Sequence, residues 1–427
     1  MLAQNIMQNK LSNGALDDNL RTVYGTGVDL EMQRARLSNL VKFYEQAFGG
    51  EDAVGLFSGP GRTELGGNHT YHQHGRVLAA AVSLDAVACA APNGTQVVCI
   101  LSSGYPRITV DLDDLTPREK EQQSSIALVR GVAARIASMG YTLGGFNAVI
   151  ESTVLGGSGL SSSAAYEILI GVIFNHLFCG DELQPVDLAL CGQYAENVYF
   201  GKPCGLMDQL ASAVGGIVAI DFRSPMQPDI RRIGFDLEQS GYSLCVIDTG
   251  ADHADLTDEY AAIPAEMSAA ARCFGKEYLR DVEEATFWKR LNEVRTQAGD
   301  RAALRAMHFF ADNRYAEEEA DCLTQGEVDS FLALVRRSGA SSAQLLQNLY
   351  CTAQPQEQAV TVAIALAEHL LGGDGAVRVH GGGFAGTIQA YVPRQKETAF
   401  QQGMEAVLGQ GCCHFLRIRP VGGAVLA

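Results

Sequence analysis

The 427-residue chain lacks the features that would place it in several common functional classes. It has 32 lysines and arginines against 49 aspartates and glutamates, so it has no basic excess to neutralise nucleic-acid phosphates. A local basic pocket is still compatible with this acidic average. No uncharged apolar run reaches the ~18 residues of a membrane span. The polar N-terminus also has no apolar signal core. We therefore expect no nucleic-acid partner, no membrane insertion and a cytoplasmic location.

The cysteines lack the spacing of a metal or redox motif. There are 11 of them, an odd number, and none forms a CxxC pair. In a chain of this length, that pattern favours reduced and mostly buried thiols over a disulfide framework.

Hydrophobic periodicity predicts a mixed α/β or α+β protein. Residues 1–50 show helical spacing, and short β-favouring segments follow between 87 and 112. A strand at 146–150 leads into a glycine-rich segment and three helices, at about 160–177, 187–199 and 207–213. After Phe222 the order restarts with a strand at 244–248, several amphipathic helices, and two strands flanking Gly381–Gly383. The pattern predicts two domains, 1–222 and 223–427.

The segment at 156–165, GGSGLSSSAA, is the strongest local signal. Glycines allow backbone N–H groups to approach an anion closely, and the helix that follows adds its positive N-terminal end. The segment therefore predicts a phosphate cradle, with an ordinary serine-capped helix as the alternative. It is not a Walker A loop, because it has no lysine. A dinucleotide fingerprint is weakened because Ser162 replaces its last glycine, although Asp181 lies about 20 residues further on.

Three further segments combine glycines with residues that can do chemistry. Residues 59–70 hold Arg62, Glu64 and His69. Residues 201–209 place Asp208 at the start of a short helix, and 380–386 put three glycines between two strands. Taken singly, each also fits a structural interpretation: a surface turn, a capping aspartate or a flexible hairpin.

Taken together, the four segments resemble the galactokinase branch of the GHMP small-molecule kinases. Residues 59–75 (GPGRTELGGNHTYHQHG) resemble the first family motif, PGRVNLIGEHTDYNGG. Residues 157–165 (GSGLSSSAA) match the second, and 204–209 (CGLMDQ) match the segment with the catalytic aspartate. Residues 378–386 (RVHGGGFAG) resemble the third motif. The motifs occur in the family's order and, with weaker similarity between them, cover nearly the whole chain.

The resemblance implies an ATP- and Mg²⁺-dependent sugar 1-kinase with the two-domain GHMP fold and an active site in the inter-domain cleft. In that family pattern Asp208 and Arg62 are catalytic, and Ser163 and Glu196 hold the metal. The implied ATP-binding residues are Gly157, Ser158, Gly159, Leu160, Ser161, Ser162 and Ser163. The implied sugar-binding residues are Asn68, His69, Tyr71, Gly205, Tyr260, Gly382 and Gly383.

The sugar motif departs from the family pattern. Asn68 stands where the family has Glu, and Tyr71 stands where it has an Asp that binds sugar hydroxyls. Tyr71 replaces a compact anionic acceptor with a bulky neutral phenol. Galactose is the expected substrate, with another hexose or a uronic acid as an alternative and a catalytically weak galactose sensor as a second. Retention of Arg62 and Asp208 favours an enzyme, and we expect a monomer.

Overall fold

The computed structural model describes residues 1–50, 52–154, 156, 159–251 and 256–427. Its strands are β1 (Leu2–Ala3), β2 (Ala53–Gly66), β3 (Arg76–Pro92), β4 (Val97–Ser102), β5 (Ile108–Asp111), β6 (Phe146–Ser152), β7 (Ile217–Asp221), β8 (Asp229–Ile233), β9 (Tyr242–Asp248), β10 (Ala376–Val379), β11 (Thr387–Pro393), β12 (Cys413–Leu416) and β13 (Ala424–Val425).

The helices are α1 (Gln4–Ser12), α2 (Asp17–Tyr24), α3 (Leu30–Phe48), α4 (Ser125–Ser138), α5 (Ser162–Phe178), α6 (Pro185–Tyr194), α7 (Met207–Val214), α8 (Thr257–Arg272), α9 (Glu284–Lys289), α10 (Leu291–Ala298), α11 (Asp300–Gln325), α12 (Val328–Ser341), α13 (Ala359–Leu371) and α14 (Glu397–Leu408). A π-helical turn at Ala195–Phe200 follows α6, and a second follows α12 at Ser342–Leu346. No helix within the described ranges is long and apolar enough to cross a membrane.

The larger sheet has the order β1-β2-β3-β6-β4-β5, with β7 and β8 continuing from β3 and β13 pairing with β2. The pair β4–β6 is parallel and the other pairs are antiparallel. Because β3 is long, its first half pairs with β7 and its second half with β6. The β2–β3 register shifts between Pro60 and Arg62 and again between Glu64 and Gly66. Such irregularities change the direction in which side chains point, and here they lie within the first sequence motif, residues 59–75.

The smaller sheet has the antiparallel order β10-β11-β9-β12. Apolar side chains from both sheets meet in one core, in which Leu78 and Leu160 belong to the first half of the chain and Val246 and Tyr391 to the second. This shared core holds the two halves together, so the loops at its border have defined positions relative to each other.

The predicted division at residue 222 separates β7 from β8, yet these two strands pair over five residues. The last residues also return to the first half of the chain, because β13 pairs with β2 and Leu426 is fully buried beside α1–α3. The first sheet is therefore completed by chain from both sides of residue 222.

Candidate active site

Arg62 and Asp208 form a bidentate ion pair at the centre of the site. Arg62 lies on β2 and donates from Nε to Asp208 Oδ1 over 2.7 Å and from Nη2 to Oδ2 over 2.6 Å. The Asp208 side chain is 30% exposed, whereas Arg62 is nearly buried. Burial alone would raise the pKa of Asp208, but the charge and hydrogen bonds of Arg62, helped by a hydrogen bond from Ser161, hold that pKa below its ordinary value.

Asp208 lies in the first turn of α7, and that helix has a fixed position. Its residues Leu210 and Ala211 are fully buried in the core below the sheet, and Ser212 donates to the carbonyl of Pro60 over 2.6 Å. The apolar face of α7 therefore fixes the helix against β2, and the polar N-terminal turn points its carboxylate at Arg62.

The glycine-serine segment runs directly beside this pair. Arg62 donates from its backbone N to the carbonyl of Leu160 over 3.0 Å and from Nη1 to the carbonyl of Gly159. Gly159 and Ser161 both have positive φ, +71° and +55°. A Cβ on Gly159 would lie only 2.9 Å from Nδ1 of His380, so this position has no room for a side chain.

The predicted residues of the segment have different environments. The Leu160 side chain is buried in the core between the sheets, whereas Ser162 is exposed at the first residue of α5. Gly157 and Ser158 lie outside the described residues.

Ser163 and Glu196 lie together, one turn further along. Ser163 Oγ donates to Glu196 Oε1 over 3.2 Å, and Lys202 Nζ lies 3.3 Å from the same oxygen. The other oxygen of Glu196 accepts from Gln209 Nε2 over 3.0 Å. Glu196 stands on the π-helical turn after α6, and its side chain is only 4% exposed. A hydroxyl and a carboxylate from two elements suit Mg²⁺, which takes one or two protein oxygens and completes its shell with phosphates and water.

His69 offers a free acceptor. Its Nε2 lies 3.0 Å from the carbonyl of Gly382, so this nitrogen carries the proton and Nδ1 carries a lone pair. Nδ1 is buried and has no partner among the described residues. Burial lowers the pKa of His69 to about 4, so the ring is neutral near pH 7. An unpaired buried acceptor fits a ligand hydroxyl.

Asn68 is fully engaged within the protein. Its side-chain Nδ2 donates to Glu64 Oε1 over 3.0 Å and to the carbonyl of Gly381 over 2.7 Å. Its Oδ1 accepts from Asn348 over 2.9 Å and from Ser342 over 3.3 Å. The residue is completely buried. The structure thus places Asn68 beneath the loop as a link between β2 and the glycine loop after β10.

Tyr71 lies against Gly205, three residues before Asp208 in sequence. A Cβ on Gly205 would lie 2.6 Å from Cδ2 of the Tyr71 ring, and the ring centroid is 3.8 Å from that of His72. The pKa of Tyr71 is raised, first by burial and then by the negative charges of Asp208 and Glu64. The phenol is therefore close enough to Asp208 to interact with its negative charge.

Tyr260 on α8 and the glycine loop after β10 form the opposite wall. The Tyr260 hydroxyl donates to the carbonyl of Gly383 over 2.8 Å, and its ring lies where a side chain on Gly382 would be, 2.7 Å from the position of a Cβ. Gly383 has φ +78°, and a Cβ there would lie 2.1 Å from the carbonyl of Asn348. Both glycines are needed for this close approach.

Four residues join the site that the sequence interpretation had given no role. His380 lies 3.0 Å from Thr63 Oγ1 and borders Gly159. Asn348 bonds both Asn68 and the carbonyl of Gly382, and Lys202 and Gln209 bond Glu196. His380 and Gln209 lie inside the motifs at 378–386 and 204–209, and Lys202 lies two residues before the second of these, so the sequence could have indicated them. Asn348 lies in no motif, and only the fold places it there.

Comparison with protein-family models gives two matches. Residues 127–216 match the GHMP kinases N terminal domain, and residues 42–92 match the galactokinase galactose-binding signature. The first match contains α5 and Asp208, and the second contains Arg62 and the Asn68–Tyr71 segment. The two matches therefore cover both sides of the ion pair.

Solved structures agree on the fold. The structure of Lactococcus lactis galactokinase complexed with galactose is 24% identical, covers 91% of this chain and 99% of that chain, and has a TM-score of 0.77. L. major mevalonate kinase in complex with R-mevalonate is 14% identical over 86% of this chain and 97% of its own, with a TM-score of 0.58. A D-glycero-D-manno-heptose 1-phosphate kinase from Bacteriodes thetaiotaomicron is 15% identical over 87% and 98%, with a TM-score of 0.59.

These matches confirm the expected two-domain α+β fold. The chain therefore has the fold of these kinases, and it carries a match to the GHMP kinases N terminal domain together with the galactokinase galactose-binding signature.

Proposed function

We propose that the chain transfers the γ-phosphoryl group of ATP to the 1-hydroxyl of galactose, giving galactose 1-phosphate and ADP. The observation that carries this proposal is the Arg62–Asp208 pair, which lies beside the glycine-serine segment and whose arginine belongs to the galactose-binding signature. Phosphoryl transfer depends mainly on positioning and on charge stabilisation, and this pair provides both beside the two binding segments.

Asp208 orients the attacking hydroxyl and Arg62 stabilises charge on the transferring group. The lowered pKa of Asp208 makes it a weak base, because proton abstraction is most efficient when the base titrates near the working pH. It still accepts a hydrogen bond from the hydroxyl and receives its proton once the oxygen has begun to bond to phosphorus. Arg62 contacts the backbone of the phosphate segment, so its charge lies where negative charge develops.

Ser163 and Glu196 would hold Mg²⁺, and Gly159 to Ser163 would line the phosphates of ATP. When bound, the metal would supply positive charge that offsets the negative charge of the ATP phosphates. Lys202 beside Glu196 adds a further positive charge on the same side. The backbone at Gly159 and Ser161 lies close to Arg62 with no bulky side chain, and the N-terminal end of α5 favours an anion there.

For the sugar, we propose that His69 Nδ1 accepts a hydrogen bond from a hydroxyl group and that Tyr71, Gly205 and Tyr260 form the walls of the pocket. Asn68 is best explained as a positioning residue, because every polar atom of its side chain already has a protein partner. It joins the loop at residues 67–75, which we call the sugar loop, to the glycine loop after β10 and so fixes the distance between the two walls.

The placement of Tyr71 supports a second candidate, a kinase of low galactose activity or of altered sugar choice. The ring covers Gly205 and supplies bulk where the family has a carboxylate. A sugar with a different hydroxyl pattern, or a sensor that binds galactose without fast turnover, remains compatible with the retained Arg62–Asp208 pair.

The test is a coupled ADP-release screen of galactose, other hexoses and uronic acids with ATP and Mg²⁺. Asp208→Asn serves as the inactive control. Galactose turnover that is lost in this variant supports the proposal. Turnover of another sugar alone would replace the substrate, and sugar binding by calorimetry without turnover of any sugar would favour the sensor.

All 11 cysteines are unpaired, which fits a reducing compartment and our proposal of a cytoplasmic location. The expected monomer stays a prediction.

A further inference from the structure

A cavity of about 370 Å³, separate from the candidate active site, lies behind the sugar loop and is lined by four arginines. Two of them, Arg76 and Arg223, flank the outer end of the first sheet, and two, Arg280 and Arg314, belong to the helical part of the second half. It does not include any residue of the candidate active site.

Three of the four arginines of this cavity pair with carboxylates, among them Arg314 with Glu318 over 3.9 Å, and Arg223 forms no ion pair within the described residues. Asp221 is shared, because it accepts from Arg280 Nη2 over 2.5 Å and lies 3.0 Å from Arg76 Nε. The two carboxylates of the cavity wall, Glu284 and Glu317, each pair with one arginine, Arg314 over 2.9 Å and Arg76 over 3.2 Å.

Arg280 and Arg223 have side-chain N–H groups that are available to bind an anion. The Arg280 side chain is only 8% exposed, and its Nε is buried with no partner among the described residues. Burial lowers the pKa of Arg280, and the neighbouring charges of Arg76 and Arg223 lower it further, against the opposing effect of Asp221. Arg223 is exposed and its side chain forms no ion pair within the described part of the chain. A guanidinium buried beside two others is stabilised by an added anion.

We propose that this cavity binds a phosphate group, either free inorganic phosphate or a phosphate monoester. Guanidinium groups match the oxygens of phosphate, with two parallel N–H donors each, and four of them line this cavity.

The cavity is connected to the sugar loop by hydrogen bonds. Arg76 directly follows the loop and donates from its backbone N to Asn313 Oδ1, which also accepts from Arg280 Nη1 over 3.0 Å. The loop residue Gln73 accepts from the backbone N of Leu279, another residue of the cavity wall, over 2.9 Å. An anion that orders Arg76 and Arg280 thereby stabilises the loop that carries His69 and Tyr71.

The single tryptophan of the chain, Trp288, provides the readout. It is half-exposed, and its Nε1 donates to Oε1 of Glu284 in the cavity wall over 3.4 Å. We would titrate the full chain with sodium phosphate at constant ionic strength, follow Trp288 fluorescence, and confirm the stoichiometry by calorimetry. A second titration with galactose 1-phosphate distinguishes a free phosphate from an ester.

The variants are Arg223→Gln and, as a matched control, Arg295→Gln. Both arginines are exposed, so neither change should unfold the chain, and Arg295 pairs with Asp300 away from the cavity. We expect saturable binding at one site that weakens about tenfold or more in Arg223→Gln and is unchanged in Arg295→Gln. If only galactose 1-phosphate shows this dependence on Arg223, the ligand is an ester.

Absence of saturable binding for both ligands would overturn the proposal, as would equal weakening in the two variants. Binding of galactose 1-phosphate in the active site would be unaffected by Arg223→Gln. An affinity for galactose 1-phosphate that is the same in this variant therefore also counts against binding in the cavity. None of these measurements needs turnover, so the result is independent of the proposed kinase activity.

Discussion

Replacing Tyr71 by Asp tests how the sugar site of this chain works. We expect galactose kcat/KM to rise about tenfold, which corresponds to about 1.4 kcal/mol of transition-state binding. A carboxylate that accepts a sugar hydroxyl contributes ~1.5–3 kcal/mol. Part of this gain is lost to repulsion, because Asp208 and Glu64 already raise the pKa of the phenol at this position and would act in the same sense on a new carboxylate.

Two further variants separate charge from volume. Tyr71→Asn has the size of the aspartate without its charge, and Tyr71→Phe keeps the ring without the hydroxyl. If the carboxylate is what matters, the Asp variant gains, the Asn variant gains less and the Phe variant gains nothing. All three variants need a thermal unfolding curve. Tyr71→Asp and Tyr71→Asn remove a ring that packs on Gly205 and His72, which costs stability, whereas Tyr71→Phe keeps that ring.

The assay is initial-rate kinetics with galactose at saturating ATP. The reasoning is refuted if the unaltered chain is already a fast galactokinase and the Asp variant is slower at unchanged stability. Tyr71 would then contact the sugar favourably, and its ring would contribute to substrate specificity rather than obstruct the site.

Other changes test the remaining parts of the site. Asp208→Asn should reduce kcat by at least about a hundredfold with ATP affinity nearly intact, and full activity would remove Asp208 from the mechanism. Ser163→Ala should raise the Mg²⁺ concentration needed for half-maximal rate, and a Mg²⁺ titration checks this. Gly159→Val should weaken ATP binding by calorimetry, since its Cβ would contact His380; unchanged affinity would make the segment purely structural. The free energy of unfolding should fall as the pH is lowered from about 6.5 to 4. Histidines in the unfolded chain take up protons in this range, whereas His69 and His380 in the folded chain do not, because their pKa values are lowered to about 4 and about 3. Urea unfolding at several pH values measures this, and a flat profile would contradict it.

Local sequence determined the helices near the site and the order of its motifs. The helix predicted at about 160–177 is α5, Ser162–Phe178, and the short helix predicted at 207–213 is α7, Met207–Val214. These elements combine helix-forming residues with glycine or serine at their ends, so short-range preferences suffice. The strand predicted at 87–91 is only the end of β3, which begins at Arg76. Both faces of β3 are buried, so the alternation that would reveal its length is missing.

Contacts between distant parts of the chain were decided by the tertiary structure alone. Asn68 lies in the sugar-binding motif and has a polar side chain that suits a sugar hydroxyl. Its carboxamide is nevertheless enclosed by Asn348, which lies 280 positions away, and by the carbonyl of Gly381. The four-arginine cavity likewise combines Arg76 and Arg223 with Arg280 and Arg314, which are brought together by the packing of helices on the end of the first sheet. Chemistry-bearing residue types can be recognised from local sequence, but whether a polar atom is satisfied or free depends on which distant atoms fold against it.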